Sequence, residues 1–334
     1  MESKEYTYRS LEGGSHLTAD VYYASSATAP VGGAQPIGMP VVFINEEVLN
    51  TKFDAAIMFY GGGFVVGSKE LVSKNEIETL VLELGFGVVV PNYRHCPSVS
   101  LYEGPITDAY SCYEWVQNDL PRLLSSISII ADGSRVAAIG LSAGGTMALH
   151  LGAAKNPPKA ILAFYSAMYF EDAFWQSPMP AFSKLPKFPQ EFLDKINEEG
   201  TVISAPSLFK KAQGDLPPEP DSSKPRNAWL LSHFRDGTWL SAIVQDGDYA
   251  RVDPAKLFSS AFPPTCLVHG SEDKMCDAKF STMAHKELLA KNVKSKLVIA
   301  EGQGHNFDAK LAKDDPLFEL VRDAFRFIAE EVSL

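Results

Sequence analysis

Short apolar runs alternate along the chain with longer segments whose apolar residues recur at helical spacing. β-Branched and other apolar residues fill the runs "DAAIMFYGG", "FGVVVPNYR", "SRVAAIGLS", "KAILAFYSA", "PTCLVHG" and "SKLVIAEG". Apolar positions at helical spacing lie between such runs, for example at 70–84 and 277–292. This alternation predicts an α/β protein with a mostly parallel central sheet and helices on both of its faces.

Two regions depart from this rhythm. Near the start, "KEYTYRSLEG" and "HLTADVYYA" flank Gly13-Gly14, which predicts two antiparallel strands joined by a turn. From 171 to 250 the chain is rich in proline and lacks the strand-helix alternation, which predicts an inserted helical cap, or lid. We therefore expect one core domain built from residues 1–170 and 251–334, with the cap at 171–250.

Composition excludes several classes of partner. The 334 residues are 46% hydrophobic and 21% charged, as expected for a globular protein with a substantial core. The formal net charge of −11 argues against nucleic acid and anionic membrane surfaces, which need clustered lysine and arginine. The N-terminal residues contain no apolar signal segment, and no run approaches the ~20 apolar residues that span a bilayer.

The cysteines and histidines indicate no metal site. Neither C-x-x-C nor metal-type spacing occurs among Cys96, Cys112, Cys266 and Cys276, and the seven histidines form no H-x-H or H-x-x-x-H pair. We expect reduced, mostly buried thiols, a cytoplasmic location, and neither a metal nor a cofactor.

The stretch "IGLSAGG" matches the Gly-x-Ser-x-Gly pattern of a nucleophile elbow at residues 140–144. A predicted strand runs into the pattern, and a helix of small residues leaves it. Such a turn places the Ser142 hydroxyl at the carboxyl edge of the sheet, beside a helix N-terminus that favours developing negative charge. The alternative is a packing contact between small residues, and the flanking strand and helix favour the elbow.

A serine hydroxyl is a poor nucleophile until a base takes its proton, so an acid and a histidine must accompany it. Asp273 follows the strand "PTCLVHG", and His305 lies in a glycine-rich loop after the next strand. Both positions fall at the same sheet edge as Ser142, because parallel strands share a direction. Asp277 is the second choice of acid, since its place just before a helix is typical of an N-cap, and Asp308 is close to His305 in sequence.

Glycines in "YGGGFVVGS" are the candidate support for an oxyanion. Acyl transfer needs N–H donors aimed at the tetrahedral intermediate, and side chains at these positions would block the backbone. We expect the donors to be the N–H groups of Gly62, Gly63 and Ala143. A phosphate-binding loop is the rival reading of the glycines, but the required Lys-Ser/Thr order is reversed in Ser68-Lys69.

Together these motifs resemble the hormone-sensitive-lipase-like branch of the α/β-hydrolase fold. That branch carries HGGGF, DYRLAP, GDSAGG, a D-P-L acid turn and a GHGF-like histidine, where this chain has "YGGGFVVGS", "NYRHCPS", "GLSAGG", "SEDKM" and "GHNF". The resemblance covers about 54–170 and 263–330. It implies an esterase-like serine hydrolase with the triad Ser142, Asp273 and His305.

Three positions differ from the branch. Tyr60 stands in place of histidine, and Leu141 and Asn92 each stand in place of aspartate. The Tyr60 hydroxyl has two possible tasks, to anchor the glycines through a neighbouring backbone group or to donate directly to the oxyanion. The third possibility is that its ring merely packs. We favour the anchor, because three backbone donors are already expected.

The cap supplies further candidates for the substrate pocket. The segment "NAWLLSHFRDGTWLSAI" predicts two helices around Gly237 that carry aromatic residues. A cap inserted before the acid strand would cover Ser142, exclude water and present apolar surface, although it could instead pack only on the core domain. The expected substrate-binding residues are Tyr60, Phe64, Leu141, Trp229, Phe234 and Trp239.

The predicted reaction is cleavage of an ester, a thioester or an activated amide of a small to medium apolar metabolite through an acyl-enzyme. The partner would be that small molecule, and the sequence leaves homodimer formation open. By analogy with relatives of this branch, the substrate would belong to secondary metabolism. One alternative is a lyase, condensing enzyme or acyltransferase on the same scaffold. Another is a ligand-binding receptor, which the presence of His305 disfavours, because receptors of that branch typically lose this histidine.

Overall fold

The central feature of the fold is an eight-stranded sheet. The structure is a computed structural model that describes residues 1–24, 52–210 and 219–334. The strands are β1 (Glu2–Ser10), β2 (His16–Tyr23), β3 (Lys52–Phe59), β4 (Gly87–Pro91), β5 (Ile130–Leu141), β6 (Ala160–Phe164), β7 (Thr265–Gly270) and β8 (Ser295–Ala300).

The strands lie in the order β1-β2-β4-β3-β5-β6-β7-β8. β1 and β2 form the predicted antiparallel pair, and β2 is antiparallel to β4. Every pairing from β4 to β8 is parallel. The predicted α/β fold with a mostly parallel sheet is therefore confirmed.

Helices connect and cover the strands. They are α1 (Lys74–Glu78), α2 (Thr107–Asn118), α3 (Leu120–Ser125), α4 (Ala143–His150), α5 (Gln190–Leu193), α6 (Pro225–Asp236), α7 (Trp239–Ile243), α8 (Tyr249–Val252), α9 (Lys279–Ala290) and α10 (Phe318–Ser333). α4 packs on β3, β5 and β6, while α10 packs on β5 to β8. β4 and β6 are buried at every residue, which explains their continuous apolar runs.

The carboxylate of Asp108 in α2 ties the end of β1 and the loop after β4 to this helix. Its side chain is fully buried, and it accepts hydrogen bonds from Arg9 Nη1 (2.7 Å), from Arg94 Nη2 (2.7 Å) and from the Arg94 backbone N–H (2.9 Å). Arg94 belongs to the "NYRHCPS" motif that follows β4. The motif therefore shapes the loop beside the candidate site rather than supplying a reacting group.

Residues 171–250 contain short helices, as the sequence predicts for this segment. α5 to α8 fall within it, together with 3₁₀ turns such as Ala173–Gln176 and Pro180–Phe182. All four cysteines are buried and free of disulfides. Within the described parts of the chain, no helix combines the length and apolar character that crossing a membrane requires.

Candidate active site

Ser142 occupies the turn between β5 and α4. Its backbone angles are φ 54° and ψ −119°, a conformation that residues with a side chain rarely adopt. The Ser142 N–H donates to the carbonyl oxygen of Phe164 on the neighbouring strand (2.9 Å), which helps to hold the turn. Strain of this kind is typical of functional positions and persists only where the surroundings fix it.

The two glycines of the elbow permit close backbone approach. A Cβ atom at Gly140 would overlap the carbonyl group of Gly144, and a Cβ at Gly144 would overlap the carbonyl group of Phe59. The Gly-x-Ser-x-Gly spacing therefore has a steric reason, because α4 leaves the sheet in direct backbone contact with β3 and β5.

A continuous chain of hydrogen bonds joins Ser142, His305 and Asp273. The Ser142 Oγ lies 2.9 Å from His305 Nε2, and His305 Nδ1 lies 2.7 Å from Asp273 Oδ2. The structure thus brings together the three residues expected from the sequence. Asp277 makes no hydrogen bond to the histidine; its carboxylate accepts the Lys279 N–H (2.9 Å), the first N–H of α9. The expected N-cap position is wrong by one residue, because the N-cap of α9 is Ala278.

Asp273 is held as a charged carboxylate. Its Oδ1 accepts the N–H groups of Met275 (2.8 Å) and Cys276 (3.0 Å). Burial acts to raise the pKa of Asp273, but the charge of His305 and the hydrogen bonds from His269, His305 and Cys276 outweigh it, so this pKa lies below its ordinary value. A carboxylate that stays ionised can orient the imidazole and stabilise it when it becomes protonated.

His269, a residue that the sequence analysis missed, is a second imidazole on Asp273. Its Nε2 lies 2.9 Å from the Cys276 carbonyl oxygen and 3.2 Å from Asp273 Oδ2. A carbonyl only accepts, so Nε2 must carry a proton, and Nδ1 then accepts from the Ser281 hydroxyl (2.7 Å). The signal in the sequence was a histidine at the end of a buried strand, four residues before the acid.

Residues 61–67, which we call the glycine loop, follow β3. Three consecutive residues have positive φ, namely Gly62 (135°), Gly63 (59°) and Phe64 (63°). A Cβ at Gly62 would overlap the Val66 carbonyl group. The Val66 N–H donates to the Gly62 carbonyl oxygen, and this bond closes a tight turn. Among the residues described, none accepts a hydrogen bond from the N–H of Gly62 or Gly63. These donors are therefore available to a bound ligand.

Tyr60 lies beneath the glycine loop and is fully buried. Its hydroxyl lies 2.9 Å from His95 Nε2, and its ring stacks on Tyr93 with centroids 4.4 Å apart. The expected anchor to a neighbouring backbone group is wrong, because the partner is an imidazole. Burial, with the nearby charge of Arg226, lowers the pKa of His95 to about 3, so this imidazole is neutral at physiological pH.

A cavity of about 20 Å³ adjoins Ser142, enough room for roughly one water molecule. Its lining is Gly63, Ser142, Ala143, Ala167, Trp175, Met179, Phe234, Trp239, Met275 and Cys276. Phe234 and Trp239 were expected here from the sequence. The sequence analysis missed Trp175 and Met179, which lie in the cap segment, and Ala167, Met275 and Cys276, which follow strands.

Four expected substrate contacts do not line this cavity. Tyr60 is bonded to His95, and Leu141 is buried at the end of β5. Phe64 does not line the cavity itself; its ring stacks on Trp239, with ring centroids 6.1 Å apart. Trp229 packs against His233 with ring centroids 4.1 Å apart. Their aromatic or apolar character reflects packing around the site.

Aromatic rings of the cap segment pack directly over the cavity. Trp175 lies between Phe280 of α9 (5.3 Å) and Trp239 (5.4 Å), and Phe182 stacks on Phe234 (5.3 Å). The cap therefore forms the wall of the site opposite Ser142, which excludes the alternative in which it packs only on the core domain.

A family model described as "alpha/beta hydrolase fold" matches residues 56–188, the region that holds the glycine loop and the elbow. The chain has the α/β-hydrolase fold. This result confirms the resemblance found in the sequence.

Solved structures agree with the fold of this α/β-hydrolase. A Staphylococcus aureus protein of unknown function has a TM-score of 0.70 and 15% identity, with 98% of this chain and 99% of that chain covered. The esterase LipW of Mycobacterium marinum has a TM-score of 0.63 and 17% identity, with 99% and 82% covered. At such identities the likeness shows the fold alone.

The curated relatives are much longer proteins. A non-reducing polyketide synthase of Penicillium rubens is 29% identical over 354 residues, covering 96% of this chain and 13% of the synthase. A non-reducing polyketide synthase of Preussia isomera is 32% identical over 288 residues, covering 79% and 13%. The chain thus spans about an eighth of the length of these relatives.

A buried pair of acids supports the loop that carries His305 in this α/β-hydrolase. Glu76 of α1 and Asp308 are both buried, and burial followed by the charge of Asp308 raises the pKa of Glu76 well above its ordinary value. Asp308 accepts the Tyr165 hydroxyl (2.7 Å), and the Tyr165 ring lies 4.6 Å from the His305 ring. Neither carboxyl oxygen of Glu76 has a hydrogen-bond partner among the described residues. A buried carboxylate without a partner is costly, which favours the protonated, neutral form of Glu76.

The same pair predicts a dependence of stability on pH. Burial, followed by the charge of Asp308, raises the pKa of Glu76 well above its ordinary value, and burial raises the pKa of Asp308. A group whose pKa is higher in the folded than in the unfolded protein stabilises the fold fully at pH values below its unfolded-state pKa. This stabilisation is lost as the pH rises towards its folded-state pKa. We expect Glu76→Gln, which cannot ionise, to gain stability relative to wild type as pH rises above the ordinary carboxyl range. The limiting slope is about 1.4 kcal/mol per pH unit.

Chemical unfolding from about pH 5 to about pH 9 measures this difference. Glu78→Gln is the control, because Glu78 lies on the same helix and pairs with Lys74 and Lys313. Stability curves for Glu76→Gln and wild type that stay parallel over this range would contradict the raised pKa of Glu76.

The position of Tyr60 predicts a structural rather than a chemical effect of removing its hydroxyl. Tyr60→Phe leaves His95 without its buried partner, which should cost about 1–3 kcal/mol of unfolding free energy. The hydroxyl is bonded away from the cavity, so kcat should fall by less than about tenfold. The melting temperature and kcat, measured side by side, test this expectation. A hundredfold loss of kcat at an unchanged melting temperature would instead indicate direct donation to the oxyanion.

Proposed function

We propose that this α/β-hydrolase is a serine acyl hydrolase that cleaves an ester or thioester of an apolar acyl group through an acyl-enzyme on Ser142. The observation that carries the proposal is the unbroken hydrogen-bonded chain from Ser142 through His305 to Asp273, placed beside an apolar cavity. The free N–H groups of the glycine loop, across this cavity, support it.

Each residue of this chain has a defined role in the proposed reaction. Ser142 Oγ attacks the acyl carbon while His305 Nε2 takes its proton, and Asp273 stabilises the imidazolium that forms. The carbonyl oxygen becomes an oxyanion that accepts from the N–H groups of Gly62, Gly63 and Ala143. The intermediate collapses when His305 returns the proton to the leaving alcohol or thiol. Water, activated by the same histidine, then releases the acid and restores Ser142.

The character of the cavity favours an uncharged, apolar acyl group. Its wall consists of Trp175, Met179, Phe234, Trp239 and Met275, and the lining contains no charged side chain. Burying an unpaired charge there would cost far more than burying an apolar group. A volume of about 20 Å³ cannot hold an acyl chain, so these flexible and aromatic side chains must shift when substrate enters.

The similarity to non-reducing polyketide synthases supports a substrate from polyketide metabolism. The match covers most of this chain but about an eighth of each synthase, which is the size of one domain in a larger protein. We propose that the acyl group derives from a polyketide and reaches Ser142 as a thioester or an ester. An acyltransferase would form the same acyl-enzyme and differ only in passing the acyl group to an alcohol or amine instead of water.

Replacement of the nucleophile tests the proposal. Ser142→Ala should abolish covalent labelling by a fluorophosphonate and lower hydrolysis of p-nitrophenyl esters or acyl thioesters by about 10⁴-fold or more. Labelling followed by mass spectrometry locates the modified serine, and product analysis with and without added alcohol separates hydrolysis from acyl transfer. Labelling of another serine, with full activity in Ser142→Ala, would overturn the proposal.

Substitutions of the two candidate acids should have very different effects. Asp273→Asn removes the carboxylate that fixes the imidazole tautomer, so kcat should fall by about 10³–10⁴-fold. Asp277→Asn keeps a side-chain oxygen that can accept the Lys279 N–H at the start of α9, so both stability and kcat should stay nearly unchanged. Steady-state kinetics of both variants on one ester decide the matter, and a larger loss in Asp277→Asn would reverse the assignment.

A further inference from the structure

One face of α6 in the cap rests on the glycine loop. Arg226, Leu230 and Phe234 are spaced by four residues and therefore lie along one side of the helix. The Phe234 ring would lie 3.1 Å, and the Leu230 methyl groups 3.4 Å, from a Cβ at Gly63. The cap thus contacts the loop where its backbone is most exposed to the cavity.

Arg226 makes the polar part of this contact. Its Nη1 donates to the carbonyl oxygens of Val65 (2.9 Å) in the glycine loop and Cys96 (2.6 Å) in the loop after β4. Its Nε donates to Glu199 (2.6 Å), another residue of the cap. The arginine side chain is only 4% exposed, whereas the Glu199 side chain is 33% exposed. The guanidinium is therefore buried between the cap and the core.

A contribution to stability does not by itself account for the burial of Arg226. Its Nη2 is buried without a hydrogen-bond partner in the described structure, and burying a guanidinium costs desolvation that its ion pair only partly offsets. A buried apolar side chain of similar size would fill the same space without that cost. Arg226 binds two backbone carbonyl groups, an arrangement suited to holding the backbone in one shape.

The glycine loop needs such support. Gly62, Gly63 and Phe64 all have positive φ, and Phe64 is a large residue in a conformation that disfavours side chains. A second cap residue, Trp239, donates its indole N–H to the Gly63 carbonyl oxygen (3.2 Å). Cap contacts therefore bind the carbonyl groups at both Gly63 and Val65, which orients the peptide units between them.

We propose that Arg226 is a positioning residue through which the docked cap holds the glycine loop in the shape that presents N–H donors to the oxyanion. This inference rests on the proposed function, because it assigns the loop to an oxyanion hole. It makes the cap a part of the catalytic support as well as a cover.

The test compares Arg226→Met and Arg226→Lys with wild type on one p-nitrophenyl ester. Loss of loop support weakens an interaction made in the transition state, so kcat should fall about 10–100-fold in Arg226→Met, with KM changed less than about threefold. The affinity for a trifluoromethyl ketone, which forms a tetrahedral oxyanion adduct with serine, should fall by the same factor as kcat. Arg226→Lys, which keeps a donor and a charge, should recover part of both losses.

Two variants are matched controls. Arg235→Met removes an arginine from the same helix that binds Asp236 and the Pro186 carbonyl oxygen. Glu199→Gln removes the ion pair of Arg226 but leaves its bonds to Val65 and Cys96. We expect kcat and the inhibitor affinity of both controls to stay within about threefold of wild type.

The outcomes separate this inference from the function on which it rests. If Arg226→Met and Arg226→Lys lower only the melting temperature, and the folded variants keep wild-type kcat and inhibitor affinity, the arginine is merely structural and the inference is wrong. Should Arg226→Met not fold, Arg226→Lys decides by the same two readouts. Retained activity in Ser142→Ala would instead overturn the proposed function itself.

Discussion

Parallel pairing of β5, β6, β7 and β8 is the constraint on which the candidate site depends. Parallel strands end at the same edge of the sheet, so the residues that follow them meet there although they are far apart in sequence. Ser142 follows β5, Tyr165 follows β6, Asp273 follows β7 and His305 follows β8. The triad is therefore a consequence of strand direction and of short loops, and the positive φ at Ser142 lifts its hydroxyl towards the histidine.

The fold and the three triad residues could be predicted from the sequence because their signals are local. Apolar runs mark the strands, and each triad residue stands within a few positions of a strand end. Asp273 and Asp277 could be distinguished because the second lies just before a helix, where its carboxylate accepts the first N–H of that helix. Because parallel strands share a direction, these local signals also predicted that the three residues lie close together.

The rest of the site depends on tertiary contacts that carry no local signal. Trp175 and Met179 reach the cavity only because of how the cap folds back, and Tyr60 meets His95 across two loops. Arg226 is instructive, because its spacing with Leu230 and Phe234 is visible in the sequence as one helix face. An arginine on such a face suggests a solvent-exposed edge, and only the structure shows it bonded to backbone carbonyl groups.

The charged groups around the site are arranged to suit the charges of a tetrahedral intermediate. Asp273 places negative charge beside His305, which becomes positive when it takes the serine proton. Arg226 places a buried positive charge at the glycine loop, where the proposed oxyanion forms. Both charges of the intermediate appear in the same step and disappear together. A fixed negative charge beside His305 and a fixed positive charge at the glycine loop therefore favour that step over the neutral ground state, which is what catalysis by preorganised electrostatics requires.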